Sequence, residues 1–329
     1  IGGKANFSSA EIGGKANFSS AEIMGDTDFP SVKFSENASF FSTKIGGKAN
    51  FSSAEIGGKA NFSSAEIMGE ADFPSVKFSE NANFSSAEIG GKVNFSSAEI
   101  MGEADFSTVD IGGEADFFSV KFGDDAYFSS ARFGKKANFS STEFDGESNF
   151  SSAEITNEAD FSHAYFNGVA DYSSVFFSSG TNFNNTVMND TLILNNASLK
   201  GNVHFRNCLI HRLVFNNDSM SYLVGGRVDF RNSQIHNANF NDVIFGEEVN
   251  FSDVKFGESD AEMLQNKQLR LDINDFVSLP KFLTLLRVLA NNGKDTPGKW
   301  IWGMLDISLR EDIERDSLYS HRLDKGKSE

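Results

Sequence analysis

Ala5-Asn-Phe-Ser-Ser-Ala-Glu-Ile-Gly-Gly-Lys15 is the stretch that decides the fold, because it returns with small changes for some two hundred residues. Its large apolar residues form two series. Phe7, Phe18, Phe29, Phe40 and Phe51 continue every eleventh residue to Phe183, Leu194 and Phe205, and Ile12, Ile23, Phe34, Ile45 and Ile56 continue to Met188, Leu199 and Ile210. The spacing alternates five and six without a missed position from Phe7 to Ile210. A period kept this strictly means one small unit stacked on copies of itself, each burying the next. Five- and six-residue steps fit no helical stripe, and Gly-Gly and Ser-Ser pairs recur where the chain must turn. Short strands remain. Two residues before each large residue stands a small one, such as Ala5, Ala10, Ala16, Ala21, Thr27 and Val32, so both point inward and the residue between them points out.

Ala-Asn-Phe-Ser-Ser, Ala-Glu-Ile-Gly-Gly, Ala-Asp-Phe-Ser-Thr and Thr-Asn-Phe-Asn-Asn resemble pentapeptide repeats, over roughly residues 1 to 258. The resemblance implies an all-β solenoid, a right-handed quadrilateral β-helix with four short faces per coil and a large residue at the centre of each. The chain departs from the family pattern by a sixth residue in every second unit, as at Lys4, Lys15 and Lys48. Faces of five, six, five and six make a coil of 22 residues, and the rod would be on the order of 50 Å long. A flattened coil of 11 residues is the rival, with a rod on the order of 100 Å. The square form is preferred on the resemblance, and because four inward large residues per rung fill the interior better than two.

Residues 1–44 and 45–88 differ at six positions, and 44 residues are two whole square coils. Met68-Gly-Glu-Ala-Asp-Phe then recurs at Met101, three half-coils on instead of four, so the movable unit is half a coil. Shuffling in half-coils disrupts any site tied to one face, which turns attention away from the first hundred residues. The outward residues read as columns. Asn or Asp precedes each first-series Phe and is expected to bond the backbone of the corner. Glu11, Glu22, Lys33, Lys44, Glu55, Glu66 and Lys77 begin a mixed-charge ladder, expected to be a solvated face.

From about Ile155 the consensus frays, and phase is lost after Ile210. His211 to Gly226 reads as a loop insertion, at about residues 211–229, before repeats resume at Phe230, and inserted loops carry recognition in many solenoids. From Ser259 the pattern becomes helical: Pro280 starts the run KFLTLLRVLA, which Asn291-Asn-Gly293 ends. Residues 259–329 are expected to cap the open end of the rod or to join two chains as a homodimer.

The chain has 329 residues, 35 Phe, one Cys and a net charge of −17. Residues 1–258 hold 34 acidic and 18 basic residues, so the acidity belongs to the rod. Direct nucleic-acid binding is disfavoured, since it requires a basic footprint. No apolar run is long enough for a membrane span. The chain begins with Ile inside a repeat, so a native N-terminus, its cap and any targeting signal are expected upstream.

No catalytic residues, cofactor-binding residues or metal ligands emerge, and no cofactor is implied. Gly2-Gly-Lys4 and its copies lack the spacing of a phosphate loop. His163, His204, His211, His236 and His321 show no metal-ligand spacing, and His204 and His211, seven apart, are expected to be solvated. Asn-Phe-Ser sequons arise from the repeat itself. Cys208 takes a small inward position and agrees with a reducing compartment, so the cytoplasm is favoured. The expected function is a non-enzymatic rod presenting an acidic rigid surface to another protein. The alternative, taken from the resemblance, is mimicry of duplex DNA toward a topoisomerase or another DNA-handling enzyme.

Overall fold

The computed structural model describes residues 1–215, 225–239, 247 and 249–256. Their strands pair in parallel with a step of 22 residues: Ala5 with Thr27, Glu11 with Lys33, Ala16 with Ala38 and Glu22 with Lys44. Residues eleven apart therefore lie on different faces, and the coil is the square one. The first face stacks twelve strands from Ala5–Asn6 to Val249–Asn250, which at ~4.8 Å per rung is a rod on the order of 50 Å long. No helix occurs among the described residues. The helices and the cap or dimer contact expected over residues 259–329 lie outside them.

Stacking determines the core. Phe7, Phe29, Phe51 and Phe73 form one column on the first face, and Phe18, Phe40, Phe62 and Phe84 form another on the third. Within a column rings stack nearly parallel, as Phe62 on Phe84 at 4.7 Å and 1°. Between columns they meet edge to face, as Phe73 and Phe84 at 5.2 Å and 85°. Both geometries match the aromatic quadrupole, so each ring gains beyond its buried area. Isoleucine dominates the fourth face from Ile23 to Ile111, and Ala at the small inward positions lets the backbones close in.

The corners are of two kinds. After each first-series Phe the chain turns through a residue with positive φ, such as Ser9, Ser53 and Ser97 at 56°, 57° and 58°. Asn6 Oδ1 accepts the Ser8 N–H at 2.8 Å, and Asp105 Oδ1 accepts that of Ser107 at 2.9 Å. The outward Asn or Asp thus closes its own corner, as the sequence pattern predicts. At the Gly-Gly corner the requirement is space between rungs, since a Cβ on Gly91 would lie 2.6 Å from the Gly69 carbonyl oxygen. Gly13 has no neighbour of this kind.

The chain does not leave the rod at His211. Leu209–Val214 is a continuous strand, and Leu213 and Phe215 are buried in the core. Their counterparts Leu192 and Leu194 stand one position nearer than a full coil, because the corner after Ile210 has one residue fewer than the corner after Met188, and the register shifts between Met188 and Thr191 to match. Arg227, Val228 and Asp229 also belong to the coil. The expected loop therefore narrows at both ends, and residues 216–224 lie outside the described residues. The coil containing them, from Val203 to Val228, is longer than the regular one by three positions, and the next, from Val228 to Val249, is shorter by one.

Among the described residues Thr27, Ser148, Tyr172 and Thr181 each bury a hydroxyl without a hydrogen-bond partner, and Tyr172 is the largest of them. Tyr172 continues the Phe column over Phe150 at 4.7 Å, and its hydroxyl is buried with no hydrogen-bond partner, which drives its pKa well up. Tyr172→Phe removes an unsatisfied group and should raise the urea midpoint, by about 1–3 kcal/mol of stability. Gly91→Ala should lower that midpoint, whereas Gly13→Ala should leave it within about 0.5 kcal/mol. Equal effects of the two glycine substitutions would refute the rung-contact account.

Candidate functional site

The 22-residue step sorts the charged ladder into columns. On the second face Glu11, Lys33, Glu55, Lys77, Glu99, Lys121 and Glu143 alternate without exception. Each Lys pairs with the acid one rung on, as Lys33 with Glu55 at 3.7 Å and Lys121 with Glu143 at 3.3 Å. At the corner of the first face Lys4, Asp26, Lys48, Glu70, Lys92 and Glu114 alternate likewise. Lys48 bridges Glu70 at 3.3 Å as well as Asp72, and Lys92 reaches Glu114 at 3.0 Å. Exposed pairs of this kind add little to stability one by one. Their larger effect is to keep like charges from stacking one rung apart.

Two places escape this pairing: the fourth face, where Glu66, Glu88 and Asp110 stand on three successive rungs, and one edge between faces. Glu80, Glu103, Asp124, Asp125, Asp145 and Glu147 gather over four rungs at the corner between the second and third faces, with Lys121 reaching Asp145 from the side at 3.2 Å. The acidic excess of the rod is concentrated there. Near the first coils, Met24 and Met68, both about two-thirds exposed, stand on either side of Gly46 and wall a notch of about 280 Å³.

Beyond Glu143 the second-face column changes character. Its outward residues become Tyr165, Val187, Leu209 and Gln234, and Tyr165 and Leu209 are 38% and 37% exposed. The corner next to it also changes. Val187–Ile193, Leu209–Val214 and Gln234–Asn239 are the only strands longer than two residues among the described ones, and they pair in parallel. Backbone hydrogen bonding continues through the corner, and two faces merge into one wider surface. Asn189 donates to the Tyr165 hydroxyl at 2.6 Å, anchoring the aromatic edge of that surface. On the fourth face Lys200 lies 4.6 Å over the Phe176 ring, where lower coils carry Glu and Arg.

On the first face Asp229 sits between two guanidinium groups, with Arg206 Nε at 2.6 Å and Arg231 Nη2 at 2.7 Å. Burial alone would push its carboxyl up, but hydrogen bonds from Arg231 and Arg206 outweigh it and hold the pKa down at about 2. His204, one rung below, is held low by burial and by Arg206, and its Nδ1 is buried without a partner.

The histidines do not fall as their sequence spacing suggests. His204 and His211 lie on different faces, whereas His211 and His236 meet on adjacent rungs with Nδ1 atoms 3.4 Å apart. Nothing in a 22-residue period brings them together, because position 233 is then the counterpart of 211. Cys208 fills its small inward position and accepts or donates at Thr186 Oγ1, 3.2 Å away, and burial raises its thiol pKa. Among the described residues no group of three or more His, Cys, Asp or Glu side chains is arranged to hold a metal ion. No helix among them is long and apolar enough to cross a membrane.

The family model for pentapeptide repeats (9 copies) matches residues 73–121, 117–164 and 161–209. Among curated proteins none matches the chain.

The Asp229 arrangement gives a pH dependence whose sign follows from its depressed pKa. As pH falls the unfolded chain takes up the proton first, so the stabilisation is intact above about pH 4 and is withdrawn as the pH drops toward about 2. Urea midpoints between pH 5 and 2 should therefore fall more steeply for the native chain than for Asp229→Asn. Parallel curves would show that the Arg206–Asp229–Arg231 group carries no such linkage.

Proposed function

The chain belongs to the pentapeptide-repeat family, and from that starting point we propose that it is a non-enzymatic interaction scaffold that docks another protein on its widened face. The observation that carries this reading is the change in the second-face column from Glu and Lys to Tyr165, Val187 and Leu209. Where the ladder is ionic, every outward residue serves the rung beside it. Where it turns apolar, large side chains stand in water without serving the core, and a contiguous apolar strip with a polar rim is what a protein partner covers. The rim is supplied by Asn189, Arg212 and Gln234.

Affinity capture with the full chain tests it. Tyr165→Glu and Leu209→Glu should each abolish capture of the partner, and Lys33→Glu on the ionic part of the same face should leave it unchanged. Capture that survives both substitutions would move recognition off this face.

The acidic edge supports a second reading, mimicry of a DNA strand toward a DNA-handling enzyme. Alternating signs on the second face and at the first-face corner oppose it, since a mimic needs charge of one sign along its length. Binding through the edge would weaken steeply with added salt and on replacing Asp124, Asp125 and Asp145 by Asn. Binding through the apolar strip would do neither.

A further inference from the structure

The long coil sets His211 and His236 side by side on adjacent rungs, outside the core. Each stands at the outer edge of a long strand, in Leu209–Val214 and Gln234–Asn239, and neither side chain fills the core. Their rings cross at 86° with centroids 5.5 Å apart, so they are not stacked. The Nδ1 atoms converge to 3.4 Å. That is long for a hydrogen bond from an N–H donor, which closes to about 2.7–3.2 Å.

The same separation fits another geometry. Two imidazole nitrogens each about 2.0–2.1 Å from one tetrahedral centre lie about 3.3–3.4 Å from each other. We propose that His211 and His236 hold a late first-row divalent cation, Zn²⁺ in the first instance, between their Nδ1 atoms, with water in the remaining positions. Imidazole suits zinc, copper and nickel better than calcium or magnesium, which require oxygen ligands.

Gln234 supplies the outer support such a ligand needs. Its Nε2 lies 3.1 Å from His236 Nε2. The opposite amide orientation, which occupies the same space, puts Oε1 there to accept the Nε2–H and leaves the Nδ1 lone pair turned toward the metal. The cation would join the rungs on either side of residues 216–224, where the coil is longer than its neighbours. The proposal is independent of the docking face, since a metal clip between rungs requires no protein partner.

Calorimetric titration of ZnCl₂ into the metal-free full chain, purified without a histidine tag, tests it. One equivalent should bind saturably, and His211→Ala and His236→Ala should each weaken binding at least tenfold. Gln234→Ala should weaken it less, and His163→Ala should leave it unchanged. Both target histidines are at the surface, and circular dichroism of each variant checks that the rod is intact. Cobalt substituted for zinc should give the intense visible bands of a tetrahedral site. Absence of saturable binding, or an affinity unchanged in His211→Ala and His236→Ala, would overturn the proposal.

Discussion

Each residue of the rod sits about 4.8 Å above its counterpart one coil earlier, and that constraint governs everything else. Whatever the sequence places at one position is stacked on itself. Phe on Phe is favourable, because parallel rings displaced along the axis avoid quadrupole repulsion, and the neighbouring column supplies their edges. Gly over Gly is required where the corner backbones touch, as at Gly69 and Gly91. Asn or Asp can be repeated because most of these side chains close their own corner, while Asp28 and Asp72, which precede Pro30 and Pro74, pair with Lys4 and Lys48 instead.

Charge is the residue class that cannot simply repeat. A column of Glu at this spacing adds a repulsion at every rung, so the second-face column and the first-face corner alternate and their sequence period doubles from one coil to two, whereas the fourth face carries Glu66, Glu88 and Asp110 in succession. The near-identity of residues 1–44 and 45–88 preserves that alternation except on the fourth face, where the copy has Glu88 in place of Lys44 and sets it over Glu66. The later copy, displaced by three half-coils, does not, since an odd number of half-coils exchanges faces. Glu70 lies between Lys48 and Lys92 in its column, but its copy Glu103 lies over Asn81, which donates to it at 2.8 Å, and under Asp125. The acidic edge is the electrostatic residue of that displacement. The core tolerates the exchange because opposite faces ask for the same Phe.

Most of the architecture is legible in the sequence because phase survives substitution. The inward series, the role of Asn and Asp at corners and the inward place of Cys208 follow from counting, whereas the period fits a coil of 11 or 22 residues and the square form rests on the resemblance and on packing. Two things follow from neither. Which corner needs a left-handed residue is invisible in composition, since Ser fills that position through most of the rod and Gly stands where contact, not φ, decides. Leu213 and Phe215 escape the count because one position is lost in the Leu209–Val214 strand, where Ile210 to Phe215 is five positions against the six from Met188 to Leu194, so counting by elevens from Phe205 lands beside them. The His211–His236 pair is hidden by the same arithmetic, since a coil of that length has no precursor in the preceding two hundred residues.

The irregular coils depart from the period without giving up its rigidity. A corner normally breaks the backbone ladder, and the three long strands carry the ladder through it instead. Asp229 with its two arginines and the Lys200–Phe176 contact tie outward side chains to one another at the same level. Sequence variety and local order therefore coincide on one part of the rod. Tyr165, Val187 and Leu209 are already held on hydrogen-bonded strands, so the docking proposed above would cost little conformational entropy. A uniform solenoid has stiffness without an address. Here the coils that interrupt uniformity keep the stiffness, and that combination is what a recognition surface on a repeat protein requires.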